Sequence, residues 1–177
     1  AQLIAQLHHF FKDRFKAVLL DYGPMREDLI EAVLASGFEY LHTARVKLHG
    51  LSSLIDEPSF MEAAKVVERT VNILKGNKEP LPDLIDPSLF TEDLEKQVYT
   101  AYEFYKKPIL EVIENHDYKL ATSLYAKAFF DILGKFFEQV FVYAEDNHVR
   151  KNRLALLLAV KNLYTEKIAD LSKIQLS

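Results

Sequence analysis

VRKNRLALLLAV, residues 149–160, is the stretch on which the fold turns. Its apolar part, Leu154 through Val160, is seven residues long, against the roughly 20 that a bilayer span needs. It therefore belongs in a protein interior, and a helix this apolar needs protein over most of its circumference. The spacing predicts one terminal helix from residue 146 to 171 or so.

Working back toward Ala1, apolar residues recur at three- and four-residue steps through most of the chain. Leu3, Leu7, Phe10, Phe11, Phe15, Val18, Leu19 and Tyr22 mark a first helix over residues 2–22, ended by Gly23-Pro24. A second starts near Arg26 and stops at Gly37, in the position past a helix end that tolerates positive φ. A third covers residues 39–52. A fourth opens at Pro58, where no N–H is needed, and ends at Gly76-Asn77. The fifth begins near Glu92 and meets Pro108, which removes an intrahelical bond, so a kink or restart is expected there. The sixth covers residues 117–137, weakened late by Gly134. Only five glycines, and no β-branched run or Asn-Gly turn, argue against hairpins and phosphate-cradling loops. The expected fold is all-α: one helical bundle of about seven helices. Residues 78–87, KEPLPDLIDP, hold three of the six prolines and are expected to be an ordered crossover joining two halves, 1–77 and 88–177.

The chain has 177 residues, enough for one domain with a real core. It begins at Ala1 without methionine, so a piece of something longer is expected. It has no cysteine, which removes disulfides, thiolate zinc sites and cysteine nucleophiles together and fits a cytoplasmic location. The net charge is −4, unevenly spread: residues 78–117 carry four lysines against ten carboxylates, and residues 147–177 carry six basic residues against two acidic ones. A basic terminal helix on an acidic protein is suited to a local phosphate contact, since clusters of Lys and Arg hold a nucleic-acid backbone and net charge does not.

Arg14, Arg69 and Arg153 stand where the hydrophobic spacing expects interior. Each should line a groove or a seam. The plain alternative is an internal ion pair, because buried arginine is almost never unpaired; the sharper one is a planar fork of donors offered to phosphates or base edges. Asn72 is one turn from Arg69, and Asn152 stands between Lys151 and Arg153, just after Arg150. Amide beside guanidinium at a helix start suits unstacked bases, which are read on their pairing edges. Tyr40, Phe90, Tyr99, Tyr143 and Tyr164 are candidate stacking aromatics, or else seam residues. The histidines are poorly spaced for a metal: His9/Asp13 and His42/His49 each lack a third ligand nearby. His116-Asp117 reads as a helix–helix turn. No Gly-flanked nucleophile and no carboxylate pair stands out, so no catalytic residue is assigned.

Several segments together resemble one family. FFKDRFKAVLLDYGPMREDLIEAVLASG (10–37), RTVNILKG (69–76), DPSLF (86–90) and FFEQVFVYAEDNHVRKNRLALLLAVKNLYTEKIADLSKI (136–174) follow, in order and over nearly the whole chain, the blocks of the helical, DALR-type anticodon-binding region of bacterial glycyl-tRNA synthetase β subunits. The departures are Glu68, where lysine is frequent, and Phe141 and Tyr143, where methionine is. The resemblance implies a module of an ATP-dependent ligase that charges glycine onto its tRNA. A separate α subunit would hold the adenylation chemistry, with its ATP and magnesium, and the β subunit would grip the tRNA. This module would then need no cofactor of its own and would contact the anticodon arm. Charge segregation and these blocks together make Arg150, Lys151, Asn152 and Arg153 the expected principal RNA contacts, with Arg14, Arg69 and Asn72 secondary. The contrasting expectation is a helical protein–protein interaction module that touches no RNA.

Overall fold

Several helix ends fall where the sequence supplies a cap or a breaker. Pro58 takes the first position of its helix. Asp117 Oδ1 accepts from the Leu120 amide at 2.9 Å, and Asp146 Oδ1 accepts from the His148 and Val149 amides at 2.8 and 3.0 Å. Gly37 has φ +121°, the conformation a side chain would resist. The computed structural model describes residues 2–21, 23, 25–37 and 40–175. These form α1 (Gln2–Asp21), α2 (Glu27–Ala35), α3 (Leu41–Ser52), α4 (Pro58–Leu74), α5 (Asp93–Glu114), α6 (Tyr118–Gln139) and α7 (Asn147–Thr165), with 3₁₀ turns at Pro87–Leu89 and Leu171–Lys173. Tyr22, Pro24, Glu39 and the side chain of Leu3 lie outside the described residues.

α6 is the central helix, packed on α4, α5 and α3, while α7 packs on α4 and α5. Their shared interior is aromatic. Tyr125 and Tyr164 are fully buried with ring centroids 4.8 Å apart, and Tyr125 meets Phe129 at 5.1 Å. Both hydroxyls are satisfied: Tyr125 donates to the Val160 carbonyl at 3.2 Å, and Tyr164 pairs with Thr122 at 2.8 Å. Leu154, Leu156, Leu157 and Val160 are fully buried, as so apolar a run requires.

Three expectations are corrected. α5 does not restart at Pro108: it is one helix with the proline inside it. The lost bond is a single one, and α5 is held along α6 by the most extensive helix–helix contact in the molecule. α7 ends at Thr165, short of 171, because α2 captures the residues just beyond it: Ser36 Oγ donates to the Ile168 carbonyl and the Asp170 amide to the Ala32 carbonyl, each at 2.8 Å. The apolar stripe of α1 is largely uncovered. Leu19 is buried, but Leu7, Phe10, Phe11, Val18 and Leu20 are 39–51% exposed, and α1 packs chiefly on α2. The 78–87 crossover is ordered by its neighbours. Lys151 reaches Glu79 at 2.8 Å, and Asn152 holds the Asp86 backbone at both N and O.

Candidate nucleic-acid interface

Two places gather the residues that the sequence singles out. The first is the start of α7, and it faces inward. Arg153 is 5% exposed. Its Nε and Nη2 donate to the two carboxylate oxygens of Glu95 at 3.1 and 3.0 Å, Nη2 also to Thr91 Oγ1 and Nη1 to the Phe141 carbonyl, both at 2.8 Å. Glu95 is equally complete. It sits in the first turn of α5 with no exposure, and its Oε2 also accepts from the Thr91 and Glu92 amides at 3.0 and 2.7 Å. Burial pushes the Glu95 carboxyl up, but the Arg153 guanidinium and those amides outweigh it and hold the group below its ordinary value. Asn152 is 1% exposed; it accepts from the Asp86 amide at 2.8 Å and donates to the Asp86 carbonyl at 2.9 Å.

The expectation that this amide and guanidinium point outward is therefore corrected for Asn152 and Arg153, whose hydrogen-bonding capacity is spent on holding α5, the crossover and the end of α6 together. Arg150 and Lys151 are half-exposed. Arg150 Nη1 donates to the Ala144 carbonyl at 2.9 Å and Nη2 to Asn147 Oδ1 at 2.8 Å, closing the turn that leads into α7. Lys151 pairs with Glu79 and holds that carboxyl below its usual range.

The second place is a cleft of about 430 Å³ between α4 and α6. Lys65 and Arg69 contribute from α4, and Phe130, Gly134, Lys135 and Phe137 from α6, over a floor of buried Val66 and Leu133. Arg69 is exposed, with its guanidinium carbon 4.8 Å from the Phe137 ring centroid. Among the described residues no carboxylate lies within ion-pair reach of Arg69 and no side chain or carbonyl accepts a hydrogen bond from it. Asn72, one turn on, is exposed but accepts from Lys75 at 3.2 Å instead of joining Arg69.

The remaining candidates scatter. Arg14 is exposed on α1 and takes no carboxylate partner among the described residues. Its guanidinium lies 5.4 Å from the ring of Phe10 on its own helix, and the ion pairs to α2 go through Lys16 with Glu27 and Glu31. Of the proposed stacking aromatics, Tyr164 is fully buried, Phe90 is 9% exposed against Tyr99, and Tyr143 donates to the Ile73 carbonyl at 2.7 Å. Tyr143 also crowds Gly76, two residues past the end of α4: a Cβ there would come to 2.5 Å from its hydroxyl. Tyr40 alone of the five is widely exposed, at 75%. His116, at φ +59°, is the turn between α5 and α6. Sequence reasoning missed Phe137 and the use of Gly134. The available signal for the second was a glycine inside a long helix.

Among the described residues no group of three or more histidines and carboxylates is placed to hold a metal, and no helix is long and apolar enough to cross a membrane. Comparison with known proteins adds the kinship. The chain is 32% identical to the glycine–tRNA ligase β subunit of Geotalea daltonii over 98% of its own length and 24% of that protein's. It is 30% identical to the β subunit of the same name in Myxococcus xanthus, over 96% of this chain and 24% of that one. The corresponding protein of Syntrophus aciditrophicus is 32% identical over 93% and 23%. The chain thus spans about a quarter of the length of these curated relatives. The profile of the DALR anticodon binding domain matches residues 65–169, a span that begins at the rim of the α4–α6 cleft and takes in all of α5, α6 and α7. With more than half of its length in that match, the chain belongs to the DALR anticodon binding domain family.

Proposed function

We propose that this chain is the tRNA-gripping module of a glycine–tRNA ligase β subunit and recognises the anticodon arm of glycine tRNA. On this reading the glycylation chemistry, with its ATP and magnesium, belongs to an α subunit. The rest of the β subunit and that α subunit are the protein partners, and the setting is the cytoplasm. The observation that carries the reading is an open arginine with no carboxylate partner among the described residues, in a cleft that falls inside the family match. A recognition module needs positioned donors and stacking surfaces, and Arg69 over the Phe137 ring offers both. The RNA contacts then comprise Arg69, Arg150 and Lys151, with Asn72 and Arg14 as secondary contacts. Asn152 and Arg153 support them from inside.

Titration of the chain with glycine tRNA at two salt concentrations tests this. Binding should weaken with a log–log slope of about −0.7 to −0.9 per neutralised phosphate, and the cognate anticodon stem-loop should outcompete one with altered loop bases. Salt-independent or sequence-blind binding would count against it. One feature favours a second reading, a protein-docking module: the uncovered stripe of α1. Replacing Leu7 and Phe11 with serine separates the two, since RNA affinity should hold and any protein partner should be lost.

A further inference from the structure

We propose that the α4–α6 cleft is a stacking subsite for one unstacked nucleobase of an RNA loop. Arg69, laid on Phe137, is its platform, and Lys65 and Lys135 are the contacts for the flanking phosphates. This rests on the anticodon-arm reading and gives it a specific site.

Guanidinium planes stack on aromatic rings and on bases alike, and a plane already seated on a ring is preorganised for a third layer. Arg69 has its guanidinium carbon over the Phe137 ring. It is 4.8 Å from the Phe137 centroid, exposed, and uncommitted to any acceptor among the described residues. Arg153, by contrast, has both its edges engaged.

The α6 side of the cleft supplies an independent observation. Gly134 stands well inside α6, where almost any other residue would make a better helix. Nothing in the packing asks for glycine there, because a Cβ at that position meets no atom within 4 Å. Its φ is not positive either. A local rule broken with no structural return is expected at functional positions. Here the missing side chain adds to the open space of a cleft of about 430 Å³ that Phe137 also lines, room on the scale of one extruded base.

Charge refines the ligand. Lys65, Arg69 and Lys135 share the lining with Asp131 and Glu138, and no ion pair joins these cations to these carboxylates among the described residues. A lining of three cations and two carboxylates outside any ion pair suits a base, held by its plane and its hydrogen-bonding edge, better than a bare phosphate.

The test is a fluorescence titration of the chain with a glycine-tRNA anticodon stem-loop carrying 2-aminopurine at each loop position in turn, alongside a blunt duplex of the stem. One loop position should change its emission sharply on binding. Arg69→Lys keeps the charge and loses the plane; it should weaken the loop complex by about tenfold, abolish that emission change and leave the salt slope alone. Gly134→Leu should do the same by filling the space, with its circular dichroism and thermal unfolding as the check that it is folded. Lys135→Ala should reduce the slope by about 0.7 and keep the emission change. If Arg69→Lys and Gly134→Leu bind the loop with unchanged affinity and emission, the subsite is wrong and the anticodon-arm reading stands. If the unaltered chain fails to tell loop from duplex, that reading falls and takes the subsite with it.

Discussion

At the start of α7 a guanidinium is enclosed by a carboxylate, a hydroxyl and a carbonyl; between α4 and α6 another lies on a phenylalanine ring with its donors unused by the described residues. Both arginines sit one turn from apolar residues on their own helices. The difference lies in what the rest of the fold brings to them. The α7 side receives the first turn of α5, and with it Glu95, whose oxygens also cap that helix. The α4 side receives the last turns of α6, which carry a ring and a glycine. The same residue type is thus a structural bolt in one region and a candidate ligand contact in the other, and the presence of a buried carboxylate decides which.

The largest expected effect breaks the first region. Arg153→Met leaves Glu95 buried without its cation and should cost about 3–5 kcal/mol of stability, read by urea or thermal unfolding. A loss under about 1 kcal/mol would mean that the pair is as weakly coupled as an exposed one. The same carboxylate sets an acid limb. Glu95 is held below its ordinary value of 4.5, so its contribution is complete above that pH and is lost as pH falls through the lower folded value. Glu95→Gln should flatten stability against pH in that window, and an unchanged acid limb would show that other groups set it.

Next in size is Asn152→Ala, which frees the Asp86 amide and carbonyl that Asn152 pins. A cost of about 1–3 kcal/mol is expected, with faster hydrogen exchange confined to the crossover. Exchange rising instead across α5 and α6 would show that the crossover and the bundle open as one unit.

These two residues also show how far the sequence can be read. Helical spacing marks Arg153 as an interior position, and the apolar run beside it marks α7 as enclosed; both are local properties. Its partner Glu95 is 58 residues away and the partner of Asn152 is 66 away, pairings that no spacing rule reveals. A cluster of Arg, Lys and Asn at a helix start therefore looks the same whether it faces solvent or core. The seven helices, with Pro58 opening one and Gly37 just past the end of another, are legible because each depends on a few neighbouring residues. The end of α7 is not, because hydrogen bonds from α2 decide it, and neither is the continuation of α5 past Pro108, since packing on α6 outweighs one proline. In the cleft, Arg69 is visible from its spacing and the family block, whereas Phe137 becomes its partner only through the α4–α6 crossing.

Sharpening the second region takes smaller effects of opposite sign. Gly134→Ala should stabilise the chain by about 0.5–1 kcal/mol, since it restores helix propensity where the added methyl has room. A destabilising result would mean that α6 needs the glycine for packing, and Gly134 would then no longer speak for a ligand. Arg69→Ala should change stability by less than about 1 kcal/mol, the scale of an exposed cation–π contact, while lowering RNA affinity. Stability and binding falling together would place Arg69 with Arg153 as a bolt.

The smallest effect concerns the boundary between the two kinds of residue. Lys151 is half-exposed and tied to Glu79, and Arg150 lies close enough to influence the same carboxyl. As proposed RNA contacts they work against that negative charge, because a phosphate must compete with it for Lys151. Glu79→Gln removes the competitor without touching the buried network behind it. Folding stability should hardly move, as is usual for an exposed ion pair. RNA affinity should rise slightly at low ionic strength, and the rise should vanish near 1 M salt, where the screening length falls to about 3 Å. If affinity stays flat at low salt while Arg69→Ala still weakens binding, the start of α7 takes no part in the RNA contact, and the cleft carries the interface without it.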